Sequence, residues 1–168
     1  MVIKYVGKLS LKYKIYNMIS IEDFKIKHPD KVRFIGLDLG SKRIGVSICD
    51  ERQSIATPFK TINKKNTNEL IDELKIIIEE NNIGGIIVGN PVNMDGTIGR
   101  SAQSVNDVAS NISKNIDLPV ILWDERLSTV GAFNLSSLLD VNVSKRVKTI
   151  DQNAAAFILQ GAIDFLNN

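Results

Sequence analysis

Apolar and polar positions along this chain place most of its elements. Val32-Arg33-Phe34-Ile35-Gly36-Leu37-Asp38 is rich in β-branched and aromatic residues and reads as a strand. After Gly40-Ser41-Lys42-Arg43, the stretch Ile44-Gly45-Val46-Ser47-Ile48-Cys49 alternates apolar with small or polar residues, which predicts a second strand. Asp50-Glu51-Arg52-Gln53 reads as a turn, and residues 54–62 supply a third, shorter strand whose Pro58 suits an edge. Three strands joined by short turns imply an antiparallel meander. Upstream, residues 20–27 read as a short helix: Ser20 can cap it, Asp23 follows three residues later, and His28-Pro29-Asp30 ends it.

Beyond the meander the period changes. Leu70, Ile71, Leu74, Ile77 and Ile78 fall at helical spacing, predicting an amphipathic helix over 67–81. Residues 83–88 form a buried strand, 89–97 a loop, 100–115 a second helix with Ala102, Val105, Val108, Ala109 and Ile112 inward, and 119–123 a fifth strand. A third helix over 129–139, a polar basic loop over 141–148 and a last helix over 151–166 complete the chain. The order β-β-β-α-β-α-β-α-α specifies an α/β fold, with helices on the faces of a mixed sheet.

Length and composition narrow the classes. With 168 residues, 43% hydrophobic and 24% charged, the chain has the usual globular mix, which excludes global disorder, collagen and a coiled coil. Its apolar runs fall far short of the roughly 20 residues that span a bilayer, so no membrane partner is expected. Lysines interrupt every candidate signal-peptide core near the start. The single Cys49 excludes an intramolecular disulfide and a cysteine-cluster metal site, and a reducing cytoplasm is the simplest compartment. Charge is uneven. Residues 1–33 hold eight Lys/Arg against three Asp/Glu, while the rest is mildly acidic. The chain is therefore read as a basic extension with a short helix, 1–30, followed by one domain, 31–168. A basic arm can hold a phosphate backbone or simply solvate an extension, and the charge count fits either.

The acids stand where elements end. Asp38 closes the first strand, Asp124-Glu125 closes the fifth, and Asp151 opens the last helix. In open α/β sheets, sites form beyond the carboxyl ends of strands. If the first and fifth strands run the same way, Asp38, Glu125 and Asp151 can meet on one rim. Three carboxylates there would invite a divalent cation of the Mg²⁺ or Mn²⁺ kind. Acids at strand ends and helix N-termini also have purely structural uses, so spacing alone leaves both readings open. Asn93-Met94-Asp95-Gly96 is first of all a turn, in which Asp95 is a turn former before it is a ligand. Cys49 reads as a small buried hydrophobe remote in sequence from the lone His28, so a thiol nucleophile with a histidine base is not expected. The spacing of Gly36, Gly40 and Gly45 fails the dinucleotide-binding fingerprint; Gly40 and Gly45 match the outer glycines of a P-loop, but Val46-Ser47 stands where Lys-Ser/Thr is required.

Four segments together resemble the YqgF/RuvX-like family of Holliday junction resolvases and pre-16S ribosomal RNA nucleases. They are Gly36-Leu-Asp38-Leu-Gly40-Ser-Lys42-Arg43-Ile-Gly45-Val, Val88-Gly-Asn-Pro91-Val-Asn93-Met94-Asp95-Gly96-Thr, Asp124-Glu125-Arg126-Leu127-Ser128-Thr129 and Ile150-Asp151-Gln-Asn-Ala-Ala155-Ala, in family order. The resemblance runs from about Phe34 to Leu166. It implies an RNase H-like mixed five-stranded sheet of order 3-2-1-4-5, with strand 2 antiparallel and helices on both faces.

It also implies roles. Asp38, Glu125 and Asp151 would be the catalytic acids and metal ligands for two Mg²⁺ or Mn²⁺ ions, with Asp124 a lesser ligand or a structural acid. Lys42, Arg43 and Arg126 would neighbour phosphates, and Asn93, Arg100, Lys145, Arg146 and Lys148 would extend the nucleic-acid surface. Asn90 departs from the pattern, standing where relatives often carry a larger apolar residue; residues 1–17 have no counterpart in it. The implied activity is a metal-dependent endonuclease that processes the 5′ end of pre-16S rRNA, with the small-subunit precursor as partner. A resolvase of branched DNA, or a non-catalytic ribosome-assembly or regulatory module, is the alternative. Resolution of a junction would call for a dimer. No self-complementary apolar stripe signals one, so a monomer or weak homodimer is expected.

Overall fold

The computed structural model describes residues 18–28, 30–93, 95–127 and 143–168, and the side chains of all of these except residues 27 and 143–152. The strands are β1 (Met18–Ile19), β2 (Arg33–Leu39), β3 (Arg43–Cys49), β4 (Ala56–Asn63), β5 (Ile83–Asn90) and β6 (Val120–Asp124). The helices are α1 (Ile21–Lys27), α2 (Thr67–Asn81), α3 (Arg100–Asn115) and α4 (Val143–Asn167), with a 3₁₀ turn at Glu125–Leu127 after β6.

One six-stranded sheet runs in the order β1-β6-β5-β2-β3-β4. Strand β3 is antiparallel to β2 and β4, and the other pairings are parallel. The five strands and the order expected from the sequence are present. The sixth strand is an addition: Met18 and Ile19 lie beside Val120 and Ile121 and cover what would be an open edge of β6. Two residues before a helix cap are too few to show a strand period. This edge, together with α1, builds residues 18–28 into the body. Phe24 is buried against Phe34, ring centroids 5.1 Å apart, and the expected boundary at residue 30 falls between parts of one packed core. Residues 1–17 lie outside the described residues.

Strand alternation divides that core into two layers. Ile35, Leu37, Ile44, Val46, Ile86 and Val88 face α2 and α3, whose Leu70, Leu74, Val105 and Ile112 close over them. Phe34, Ile87, Ile121 and Trp123 face α1 and α4, and meet Phe24, Ile158, Leu159 and Ile163. Each such side chain contributes roughly 1.5–3 kcal/mol on burial. Trp123 is thereby packing, edge-on to Phe165.

Helix α4 lies directly on the sheet because Gly36 has no side chain. A Cβ there would stand 2.7 Å from Leu159 Cβ and 2.9 Å from the Ala155 carbonyl oxygen. That carbonyl accepts a hydrogen bond from the buried Ser47 Oγ at 2.8 Å. Gln160 ties the helix to the start of β4, accepting from Ala56 N–H at 2.8 Å and donating to the Ser54 carbonyl at 3.0 Å. Asn167 donates to the Gln53 carbonyl, and Gln53 donates to the carbonyl of Val32, just before β2. The helix therefore ends near the start of β2, and its earlier turns lead toward the carboxyl ends of the parallel strands.

The basic loop expected over 141–148 is helical from Val143 onward, so Lys145, Arg146 and Lys148 belong to the first turns of α4. The segment contains no Gly or Pro, and Lys and Arg are good helix formers; polarity alone had suggested a loop. The side chains of this trio, and the helix expected over 129–139, lie outside the described residues. Among the described residues, no helix is long and apolar enough to cross a membrane.

Candidate active site

The alternation that aims Gly36 at α4 aims Asp38 to the same face, because Leu37 between them points to α2 and α3. At the end of β6 the same rule separates two adjacent acids. Ile121 and Trp123 face α4, while Val120 and Leu122 face the other layer, so Asp124 follows them away from α4. Glu125, in the 3₁₀ turn, returns to the α4 face and lies over Gly89 of β5. A Cβ on Gly89 would come within 2.6 Å of Glu125 Oε1 and would also collide with Ile158 Cδ1. The missing side chain of Gly89 is what gives Glu125 its place.

The structure thus brings Asp38 and Glu125 together on one rim. Burial, then the charge of Asp38, then that of Asp124, pushes the Glu125 carboxyl above the usual glutamate range. Asp151 stands on α4 one turn before Ala155, the residue docked at Gly36, so its backbone is led toward the same rim; its side chain lies outside the described residues. Among the described residues there is no group of three or more His, Cys, Asp and Glu that could hold a metal ion. The described donors are a half-buried carboxylate and a like-charged neighbour. Hard oxygen donors that repel one another fit a divalent cation of the Mg²⁺ or Mn²⁺ kind.

Asp124 is engaged elsewhere. Arg126 Nε donates to both of its carboxylate oxygens at 3.0 Å, Nη2 donates to Oδ2, and the Arg126 N–H donates to Oδ1 at 3.0 Å. The guanidinium holds the Asp124 carboxyl below the usual aspartate range. Arg126 Nη1 also reaches the Asn93 carbonyl at 3.4 Å. The Asn93 turn is closed by its own bonds: Asn93 Nδ2 donates to Thr97 Oγ1 at 2.8 Å, and Gly96 N–H to the Asn93 carbonyl at 2.8 Å. Asp95 accepts the Thr97 hydroxyl and N–H, which lower its pKa, and so acts here as a turn former.

Other expected residues lie around the rim. Exposed Lys42 and half-buried Arg43 sit in and after the turn between β2 and β3, the turn that follows Asp38. Exposed Arg100 is the first residue of α3, whose N-cap Gly99 supplies no side-chain hydrogen bond. Cys49 is buried and accepts the Phe34 N–H, and burial pushes its thiol up. His28 packs against the Phe24 and Phe34 rings. Sequence reasoning placed Gly36, Ser47 and Gly89 in their segments but missed that they seat α4 and Glu125. A glycine inside a strand pattern is itself a signal of close approach and could have marked Gly36; Gly89 was read as the start of a loop, whereas β5 runs on to Asn90.

Asn90 ends β5 beside Asp124. Its Oδ1 is buried and has no hydrogen-bond partner among the described residues. An unmet buried acceptor costs about 1–3 kcal/mol. Asn90→Leu should therefore stabilise the protein by about 1 kcal/mol, raising Tm by roughly 2–4 °C in thermal unfolding. An unchanged or lower Tm would show that the oxygen is satisfied.

Residues 32–165 match the family described as "RuvX: Holliday junction resolvase". A protein of Pelagibacter ubique (strain HTCC1062) named "Putative pre-16S rRNA nuclease" is 94% identical over 151 residues, covering 90% of this chain and 100% of that relative. One of the same name from Sphingopyxis alaskensis is 44% identical over 142 residues, covering 84% of this chain and 93% of that relative. Among solved structures, the T. thermophilus RuvC in complex with Holliday junction substrate superposes with a TM-score of 0.51 at 10% identity, covering 78% of this chain and 91% of that one. The last likeness is one of fold, and the sheet is the RNase H-like one expected from the sequence.

Proposed function

The chain belongs to the RuvX family, and from that membership we propose that it is a metal-dependent endonuclease that hydrolyses RNA phosphodiesters, with precursor 16S rRNA as its substrate. The observation that carries the catalytic part is the rim shared by Asp38 and the partly buried Glu125, whose carboxyl is pushed up by burial and by its acidic neighbours. Asp38, Glu125 and Asp151 would hold Mg²⁺ or Mn²⁺. Two such ions would supply an activated water and stabilise the leaving oxygen in phosphodiester cleavage. Lys42, Arg43 and Arg100 would take the phosphates flanking the scissile bond, positioning the strand without reading its sequence. Asn93 would lie beside that path, and Lys145, Arg146 and Lys148 would extend the basic surface. A ribosome precursor as substrate would put the protein in the cytoplasm.

The names of the relatives favour RNA, while the family description favours branched DNA as the second reading. The two are separated by a side-by-side cleavage assay on precursor small-subunit rRNA and on a four-way junction, with and without Mn²⁺. Selective cutting of the rRNA precursor is the expected result. Cutting of the junction alone assigns a resolvase, and cutting of neither assigns a non-catalytic assembly module.

Metal binding has a separate readout. A ligand that binds only the folded state stabilises it by RT ln(1 + [L]/Kd), about 2.7 kcal/mol at 100 times Kd. Added Mn²⁺ should therefore raise the Tm of the wild type and leave that of Asp38→Asn unmoved. Equal shifts in both proteins would place the cation elsewhere.

A further inference from the structure

Two consecutive acids at the end of β6 point to opposite faces of the sheet, and only Glu125 joins Asp38. We propose that Asp124 is a positioning residue and not a metal ligand: through Arg126 it ties the end of β6 to the 93–97 turn, and so fixes one wall of the substrate path. The proposal rests on the nuclease reading for what the path carries, but the tie itself is a matter of geometry.

Three observations support it. First, Asp124 follows Val120 and Leu122 to the α2 and α3 layer, whereas Glu125 lies over Gly89 on the α4 side. A ligand shared with Asp38 would need the second direction. Second, both Asp124 oxygens are taken by Arg126 in a forked arrangement, closed by the Arg126 N–H. Charge-assisted forks of this kind are among the stronger protein hydrogen bonds. Third, the far side of the same guanidinium reaches the Asn93 carbonyl, which also accepts the Gly96 N–H. That carbonyl belongs to a turn held by Asn93, Asp95 and Thr97 side chains but otherwise exposed. Arg126 is the link from this turn to β6, so its role as a phosphate contact gives way to that of a brace.

The test uses the full chain and the variants Asp124→Asn, Arg126→Gln, their double variant, and Glu125→Gln as a reference. Mn²⁺ affinity is read by calorimetry, and amide exchange at Gly96 and Thr97 by NMR. Glu125→Gln should weaken Mn²⁺ binding more than about tenfold. Asp124→Asn should weaken Mn²⁺ binding by less than about threefold, the loss of a neighbouring charge and not of a ligand, yet speed exchange at Gly96 and Thr97 about fivefold, the loss expected for one net hydrogen bond. Arg126→Gln should reproduce that acceleration, and the double variant should add nothing to it, because both remove the same tie. In cleavage, Asp124→Asn should raise KM more than it lowers kcat.

A fall in Mn²⁺ affinity for Asp124→Asn matching that of Glu125→Gln would make Asp124 a ligand and overturn the proposal. So would unchanged exchange at the turn. If Glu125→Gln leaves Mn²⁺ binding intact, the metal-site reading fails instead, while the exchange data still decide the tie.

Discussion

Asp38→Asn and Glu125→Gln should each lower the cleavage rate by roughly 10³-fold or more, with far-UV circular dichroism indistinguishable from wild type. The size follows from what is removed. Each change deletes one negative oxygen from a rim where carboxylates converge, and with it a ligand for the cations that would activate water and stabilise the leaving oxygen. The fold should survive because each amide keeps the size and shape of the acid it replaces. Glu125 is in fact a burden on the metal-free protein: burial and the charge of Asp38 push its carboxyl up, so its ionised form is the less favoured one in the folded state.

The sign of the pH effect follows. A carboxyl raised on folding contributes stability that is fully present below its unfolded value and is lost as pH rises through the folded value. Metal-free wild type should therefore lose stability relative to Glu125→Gln between the ordinary glutamate range and the raised value. At neutral pH the variant should melt at the higher temperature, and the difference should vanish in acid. Retained turnover in both Asp38→Asn and Glu125→Gln would remove the catalytic assignment. A Glu125→Gln protein less stable than wild type at neutral pH would contradict the electrostatics.

How much of this was legible in the sequence depends on the kind of signal. Periodicity placed β2, β3, β5, α2 and α3, since each is long enough to show its repeat. It missed β1, whose two residues have no period, and it mistook the start of α4 for a loop because a run of polar residues looks alike in both states. For the site, the acids could be picked out by their place at element ends, but the direction of each could not. Asp124 and Glu125 are neighbours, and the sequence alone offers no reason to send them to opposite faces. The reason is the strand ending at Asp124 and the 3₁₀ turn beginning at Glu125. Likewise Arg126, two residues from Asp124, reads as a free cation until its guanidinium is seen folded back onto that carboxylate. Long-range placements such as Gly36 under Ala155 and Gly89 under Glu125 connect residues that no local pattern relates.

Those two glycines give the other large effect, and they should fail in different ways. At Gly36 an added side chain meets Ser47 Oγ, Leu159 Cβ at 2.7 Å and the Ala155 carbonyl at 2.9 Å. The second is the root of a side chain and the third is backbone, so neither can swing aside and the whole of α4 must lift. Overpacking typically costs 1–3 kcal/mol, and Gly36→Val should reach or exceed about 3 kcal/mol, because helix displacement also breaks the Ser47 bond. Urea unfolding should show a sharply lower midpoint, and activity should be lost with the fold. At Gly89 the colliding atoms are Ile158 Cδ1 and Glu125 Oε1, both free ends of flexible side chains. Gly89→Ala should thus change stability little, but it moves the Glu125 carboxylate, and a displacement of about 1 Å can cost around 10² in rate. A Gly89→Ala protein that cleaves like wild type would show that the Glu125 carboxylate need not occupy this place. A Gly36→Val protein with an unchanged urea midpoint would show that α4 is not seated on β2 through the bare backbone of residue 36.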